Sequence, residues 1–188
     1  MTGLRGMLER FGRAEGGVAA VEFALILPVM LLVYIGSVEA SALISMDRKV
    51  QTISGAVGDL VARSDKEITA TTLQDYVRVA GGIMTPHPTG QLQQIVTQVQ
   101  VLADGTTSVV WSRGFENLAD MSSLAHTPGA SYSLPDEIID IATDQYVIVA
   151  ETRYPYQPLF GIVFDQAVSL YRENFYLPRF GGSITYKP

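Results

Sequence analysis

The 188-residue chain is apolar and acidic, with 47% hydrophobic residues, 17% charged residues and a formal net charge of −6. So few charges are unusual for a soluble domain and indicate that part of the chain lies in lipid. The absence of cysteine excludes disulfides, thiol catalysis and thiolate metal sites. An acidic chain without a lysine or arginine stripe is not expected to bind nucleic acid. The length allows one globular domain and a tail.

The first seventeen residues form a short basic segment, in which Arg5, Arg10 and Arg13 outnumber Glu9 and Glu15. Arginines directly before a first apolar run hold that end of the chain in the cytoplasm. We therefore predict that the N-terminus is inside and the C-terminus outside. Without these five charges, the 13 basic and 19 acidic residues of the chain fall to 10 and 17, and the exported part has a net charge of −7.

The next segment is apolar and long enough to cross a membrane. Glu22 and Glu39 are its only charged residues, and sixteen uncharged residues, Phe23 to Val38, separate them. At the helical rise these sixteen cover about 24 Å, and a run that starts at Val18 covers about 32 Å, close to the hydrocarbon thickness. The sequence predicts a single span, provided that Glu22 is tolerated there.

Helical periodicity continues beyond the span, so one helix is predicted over residues 18–63, half of it in the membrane. Gly55 and Gly58 weaken a helix unless close packing requires them, and we expect them to let another backbone approach. The apolar positions that recur at steps of three and four are Leu43, Met46, Val50, Ile53, Val57 and Leu60.

The rest of the chain predicts an α+β head. A second helix is expected over residues 71–80, with Thr71 and Gln74 as a capping box and two glycines after it. Alternating Val- and Thr-rich runs then predict four antiparallel strands in two hairpins. The expected strands are 94–102, 107–113, 144–154 and 167–177, with a hairpin turn at Asp104-Gly105 and a helical turn at 136–141.

Glu22 is a carboxylate at the edge of the bilayer core, where ionisable residues usually have a partner or a function. A cut after Gly17 would create an α-amino group on Val18, one helical turn from Glu22 and about 6 Å away along the axis. Ammonium and carboxylate would neutralise each other, within one chain or between neighbours. The uninteresting alternative is that Glu22 lies unpaired at the headgroup boundary.

The stretch Gly-Val-Ala-Ala-Val-Glu-Phe-Ala-Leu-Ile-Leu-Pro, residues 17–28, resembles the start of TadE/TadG-like minor pilins (pseudopilins) of the tight-adherence (Tad, or Flp) type IV pilus system. The segment Tyr154-Pro155 to Pro158-Leu159 is similar to the family's Tyr-Pro-x-x-Pro-Leu sequence. The resemblance implies a prepilin peptidase cut between Gly17 and Val18. It also implies that Glu22 meets an N-terminal ammonium during assembly, and that Phe23 is the family's aromatic residue.

This resemblance implies the organisation and partners of the chain. Residues 1–17 would be a leader, 18–42 a transmembrane helix and 43–188 an exported α+β head, with the long helix packed on a four-stranded antiparallel sheet as in pilins. The implied partners are the prepilin peptidase, the major Flp-type pilin, other minor pilins, the inner-membrane assembly platform and membrane lipid. The implied location is the bacterial inner membrane, with the head in the periplasm and later on the pilus.

A secretory signal peptide is the alternative interpretation of the apolar segment. Ala40-Ser41-Ala42 fits the small-x-small pattern of a secretory signal peptide, which would release a secreted or anchored binding domain, such as an adhesin, that starts at Leu43. Glu22, Pro28 and Glu39 all disfavour that interpretation.

Pro28 bends a membrane helix, and its role is either a harmless kink or a contribution to packing or extraction from the bilayer.

No catalytic or metal-binding pattern stands out, so we predict neither an enzyme nor a metal or cofactor site. The acidic cluster at 136–144 is typical of a solvated face. His87 and His126 lie in proline-containing loops without metal-ligand spacing. Aromatic residues are concentrated in the last third, and we expect most to pack in strands and those at 155–161 either to pack or to contact a partner.

Overall fold

The computed structural model describes residues 15–162 and 165–188. Its first element is the 48-residue helix α1, Glu15–Ala62, which contains Pro28. The predicted long N-terminal helix is thus confirmed. The chain divides into two compact units, which we call the anchor unit (Met1–Ala42 with Pro158–Gln166) and the head unit (Leu43–Gln157 with Ala167–Pro188).

The head unit combines helices with a mainly antiparallel set of strands, which confirms the α+β class. Short 3-10 turns follow α2 and β4, at Gly82–Met84 and Ser122–Leu124. In chain order, the other elements are β1 Glu67–Thr69, α2 Ala70–Gly81, β2 Gln93–Val101, β3 Thr107–Glu116, β4 Ala119–Asp120, α3 Asp136–Ile141, β5 Tyr146–Tyr156, β6 Val168–Tyr176 and β7 Thr185–Lys187.

Within the described residues, the main sheet has five strands in the order β4-β3-β2-β5-β6, all antiparallel to their neighbours, one strand more than the four predicted. The extra strand, β4, has two residues and pairs only with the end of β3. A parallel pair, β1 with β7, was also not predicted. Strands of two or three residues are too short to show a period of two in the sequence.

One face of the main sheet packs against the second half of α1. The predicted apolar positions Met46, Val50, Ile53 and Val57 are all buried there, since their spacing places them on one side of the helix. Ser54 lies on the same side, and its hydroxyl donates a 2.6 Å hydrogen bond to the Ala150 carbonyl of β5. This contact fixes the outer half of α1 on a central strand.

Gly55 and Gly58 of α1 leave room for the side chain of Tyr176, which corrects the expectation that a backbone approaches there. A β-carbon on Gly58 would lie 2.6 Å from two ring carbons of Tyr176 and 3.1 Å from the Cβ of Ala150. At Gly55 the nearest atom would be the Tyr176 hydroxyl, at 3.4 Å. The glycines therefore leave room for the aromatic ring that β6 contributes to this face.

Helix α2 covers the predicted range, but its cap differs from the prediction. Thr69, not Thr71, is the N-cap, and its hydroxyl accepts a 3.2 Å hydrogen bond from the Thr72 amide. Thr69 is also the last residue of β1, so its extended backbone is already suited to a cap position. The helix begins at Ala70, one residue before the predicted range of 71–80.

The opposite face of the sheet is covered by the segment between β4 and β5. Tyr132, Leu134 and Ala142 from this segment form a second buried cluster with valines of β2, β3 and β5, and Ile138 and Ile139 of α3 pack against it. The expected helical turn at 136–141 is confirmed as α3. Ile138 and Ile139 hold this helix, which starts with two carboxylates, on the apolar cluster.

Candidate assembly helix

The first part of α1 has apolar side chains that are exposed on all sides of the helix. Leu25 is 72% exposed and Tyr34 67% exposed, although both are large and apolar or aromatic. Among the described residues, one helix, Gly17–Ala62, is long and apolar enough to cross a membrane. A helix that is apolar all round is stable only in lipid or among other helices. This part of α1 is consistent with a single-pass membrane anchor.

Gly17, Val18, Glu22 and Phe23 all lie on the described part of this helix. Val18 and Glu22 are four residues apart, so their side chains share one face. Glu22 and Phe23 are exposed, Phe23 to 60%. A β-carbon on Gly17 would meet no atom within 4 Å. The peptide bond between Gly17 and Val18 is therefore not covered by any other described segment.

Pro28 lies within α1 without ending it. Proline has no amide hydrogen, so the carbonyl of Ala24, one turn earlier, lacks its usual helical donor. Other helices or side chains have to compensate for that carbonyl within a bilayer. Arg5, Arg10 and Arg13, which were predicted to orient the chain, lie outside the described residues.

Glu39 is the second carboxylate of the apolar segment, and sequence reasoning assigned it no role. It is only 1% exposed, and its Oε1 accepts a 3.1 Å hydrogen bond from the backbone amide of Phe160. Both residues belong to the anchor unit. A buried carboxylate needs such donors, because burial without them is costly. Glu39 therefore holds the 158–162 loop against α1.

The head contains a second buried carboxylate that the sequence did not reveal. Glu151 of β5 is 2% exposed, and its Oε2 lies 2.6 Å from Nε2 of His126. Its Oε1 accepts a 2.9 Å hydrogen bond from the Tyr171 hydroxyl and lies 3.5 Å from Arg153. His126 is thus not the isolated imidazole that its loop position suggests, because it ties the 121–134 segment to the sheet.

Two tyrosines beside Glu151 are held in their neutral form. Burial, a hydrogen bond to Glu173 and the charge of Glu151 raise the pKa of Tyr171 above its ordinary value. Burial and the charge of Glu151 likewise raise the pKa of Tyr132. Within the described ranges, no group of three or more His, Asp or Glu residues is arranged to hold a metal ion. The arrangement is suited to fastening a loop on the sheet.

The comparisons with known proteins concern the helix. The model of the TadE-like protein family matches residues 17–54. This match confirms the resemblance over the segment that carries Gly17, Glu22, Phe23, Pro28 and Glu39. No curated protein and no solved structure matches the chain.

The TadE-like segment includes the exposed apolar part of α1 and continues for twelve residues into the head unit. It ends at Ser54, the residue that donates to Ala150 of the central strand. The match thus covers both the exposed apolar part of the helix and the start of its packing on the sheet. All strands of the head lie beyond the matched residues.

The contacts of Glu39 and Glu151 could not be predicted from the sequence, because each joins residues that are far apart in the chain. Glu39 contacts a residue 121 positions later, and Glu151 contacts His126 across 25 positions. Neither pair has a spacing that a motif records. A weak signal did exist at Glu39, since it is the only carboxylate between Glu22 and Asp47, and an unexplained carboxylate in an apolar helix indicates a partner.

Proposed function

We propose that the chain is a minor pilin (pseudopilin) of a Tad-type pilus, a structural protein without enzymatic activity. It is made as a precursor, cut between Gly17 and Val18 by a prepilin peptidase, and assembled through α1 beside the major Flp-type pilin and other minor pilins. The observation that carries the proposal is the TadE-like match, because it covers an exposed apolar helix on which the carboxylate of Glu22 lies one turn after the expected new N-terminus.

The exposure of α1 supports assembly through this helix. In the isolated chain its apolar side chains have no covering partner in the described residues, from Val18 at 55% exposed to Tyr34 at 67%. Lipid covers such a surface before assembly, and neighbouring pilin helices cover it afterwards. The same surface serves both states because lipid tails and apolar side chains are equally apolar.

Glu22 provides a reason for ordered assembly. A carboxylate at this depth of a bilayer is unfavourable, by about 2.5–3.5 kcal/mol at the centre of a helix and less toward its ends. Pairing with the ammonium of Val18, in the same chain or a neighbour, removes that cost. Where the ammonium belongs to a neighbouring chain, a helix that enters a pilin bundle in the correct register satisfies its carboxylate, and a helix in another register does not.

The two ends of the chain have different environments in this proposal. Arg5, Arg10 and Arg13 keep the leader in the cytoplasm, and the head lies in the periplasm and then on the pilus. The inner-membrane assembly platform extracts the processed helix from the bilayer. The head then supports, initiates or caps the fibre and contributes to adherence.

The proposal is tested by shearing pili from cells that express the chain with a peptide tag at its C-terminus. A minor pilin co-purifies with the sheared fibres at a small molar fraction of the major pilin, and is retained in the membrane when the prepilin peptidase is deleted. A tagged chain that is absent from the fibres and soluble outside the cell would support the secreted binding domain instead.

A further inference from the structure

The loop Leu159, Phe160, Gly161 and Ile162, which we call the apolar loop, has exposed apolar side chains. Leu159 is 69% exposed, Phe160 53% and Ile162 60%. No charged residue occurs between Arg153 and Asp165. Apolar side chains that cluster in one exposed loop are typical of a surface that meets lipid or another protein.

The contact with Glu39 fixes the level of the apolar loop along α1. The Phe160 amide donates to Glu39 at 3.1 Å, within the anchor unit. Glu39 directly follows the sixteen uncharged residues that begin at Phe23, and sixteen helical residues cover about 24 Å. The loop therefore lies beside α1 where the uncharged run ends, at the depth of the outer membrane interface.

Tyr34 supports this placement of the interface. It lies on α1 one and a half turns before Glu39 and is 67% exposed. Tyrosine is enriched at the boundary between hydrocarbon and headgroups. Along α1, the aromatic side chain of Tyr34 comes first and the buried carboxylate of Glu39 follows at the level of the loop. This is the order expected for a helix that leaves the bilayer.

We propose that the apolar loop, held by Glu39, inserts into the outer interface of the membrane as a second contact beside α1. Short apolar segments with an aromatic residue bind at this depth because they remove apolar surface from water. The occupant is lipid, since the loop is fixed to the helix that itself lies in lipid. This inference depends on α1 crossing a membrane and is independent of cleavage and of the pilus.

The experiment uses the full chain in phospholipid vesicles, with one cysteine at a time carrying an environment-sensitive NBD fluorophore. The natural chain has no cysteine, so each label is unique. For Leu159→Cys, we expect a blue-shifted emission and strong quenching by lipids with a nitroxide near the headgroup. Lipids with the nitroxide near the chain end should quench it less. An emission as in water, with no lipid quenching, would overturn the insertion.

Two sets of variants make the result specific. Val79→Cys replaces an apolar head residue that is 70% exposed, and equal quenching there would show that the dye, not the loop, seeks lipid. In the Leu159→Cys chain, Glu39→Gln retains an oxygen acceptor for the Phe160 amide, whereas Glu39→Ala does not. We expect Glu39→Ala alone to reduce the quenching, and an unchanged signal would overturn the holding role of Glu39.

The emission of Trp111 reports whether the head is folded, so it excludes unfolding as the cause of a change in quenching. Trp111 is the only tryptophan of the chain, and its indole donates a 2.7 Å hydrogen bond to the Ile184 carbonyl. Its emission should therefore be the same in every variant, and the label signal is compared only among chains in which it is unchanged.

Discussion

The ring of Tyr176 lies so close to Gly58 that a β-carbon on the glycine would be 2.6 Å from Cδ2 and Cε2 of the ring. Two carbon atoms do not approach each other to that distance, so α1 and β6 meet only because residue 58 has no side chain. The contact joins the outer half of α1 to the edge of the sheet. It is one of the places where the head depends on a single residue of the helix.

Gly58→Ala is expected to destabilise the head, and Gly55→Ala to stabilise it. Both exchanges gain about 1 kcal/mol of helix propensity. Overpacking at position 58 costs about 1–3 kcal/mol, whereas position 55 has ordinary contact with a hydroxyl at 3.4 Å. The net loss for Gly58→Ala is then up to about 2 kcal/mol. Chemical unfolding followed by Trp111 emission measures both, and equal effects of the two exchanges would contradict the packing described.

The tyrosine pair beside Glu151 predicts a loss of head stability at high pH. The pKa of Tyr171 is raised in the folded chain by burial, by its hydrogen bond to Glu173 and by Glu151. A raised folded-state pKa gives stability that is fully present below the unfolded pKa, about 10 for tyrosine, and is lost as pH rises toward the folded value. Stability should therefore fall above about pH 10.

Tyr171→Phe isolates this effect, because it removes the hydroxyl that donates to Glu151 and keeps the ring under Arg153. We expect the variant to be less stable than the natural chain at neutral pH and to lose less stability on the way to high pH. Unfolding curves at several pH values measure both. The same alkaline loss in the two chains would mean that Tyr171 is not the group that titrates.

The sequence allowed α1, α2 and the four long strands to be predicted, because each spans several periods of its own pattern. The strands β1, β4 and β7 have three residues or fewer and leave no such pattern. The cap at Thr69 was missed because it is set by the end of β1. Glu39 and Glu151 are satisfied across 121 and 25 residues of sequence, so their partners depend on the fold.

Glu22→Ala is expected to leave the chain in the membrane and to reduce its incorporation into pili. Glu22 is exposed on α1, so its loss removes no contact of the described fold and an alanine retains the helix. The fraction of tagged chain in sheared pili measures the effect. Glu137→Ala, at an exposed carboxylate of α3 outside the assembly helix, is the control and should incorporate normally. Equal incorporation of Glu22→Ala and the natural chain would contradict the pairing with Val18.

Glu22→Gln separates charge from hydrogen bonding at the same position. An ammonium partner requires the negative charge, so the glutamine variant should incorporate as poorly as the alanine variant. Incorporation at the natural level would show that a polar side chain is sufficient there and that no ion pair forms.

Gly17→Trp is expected to block processing by filling the small-residue site of the peptidase. A β-carbon at the exposed Gly17 would meet no atom of another described segment within 4 Å, so we expect the exchange to leave the described fold intact. Ala42→Leu is the matched control, because it breaks the alternative small-x-small site and leaves Gly17 unchanged. Gel mobility then distinguishes the two cleavage sites. We expect the Gly17→Trp chain to keep the precursor length and the Ala42→Leu chain to mature normally. The reverse pattern would favour cleavage by signal peptidase.

The N-terminal sequence of the mature chain, isolated from the membrane of its own cells, tests the central claim most directly. The minor-pilin proposal predicts a chain that begins at Val18, with Glu22 as its fifth residue. A chain that begins at Leu43, or one that retains residues 1–17, would contradict it.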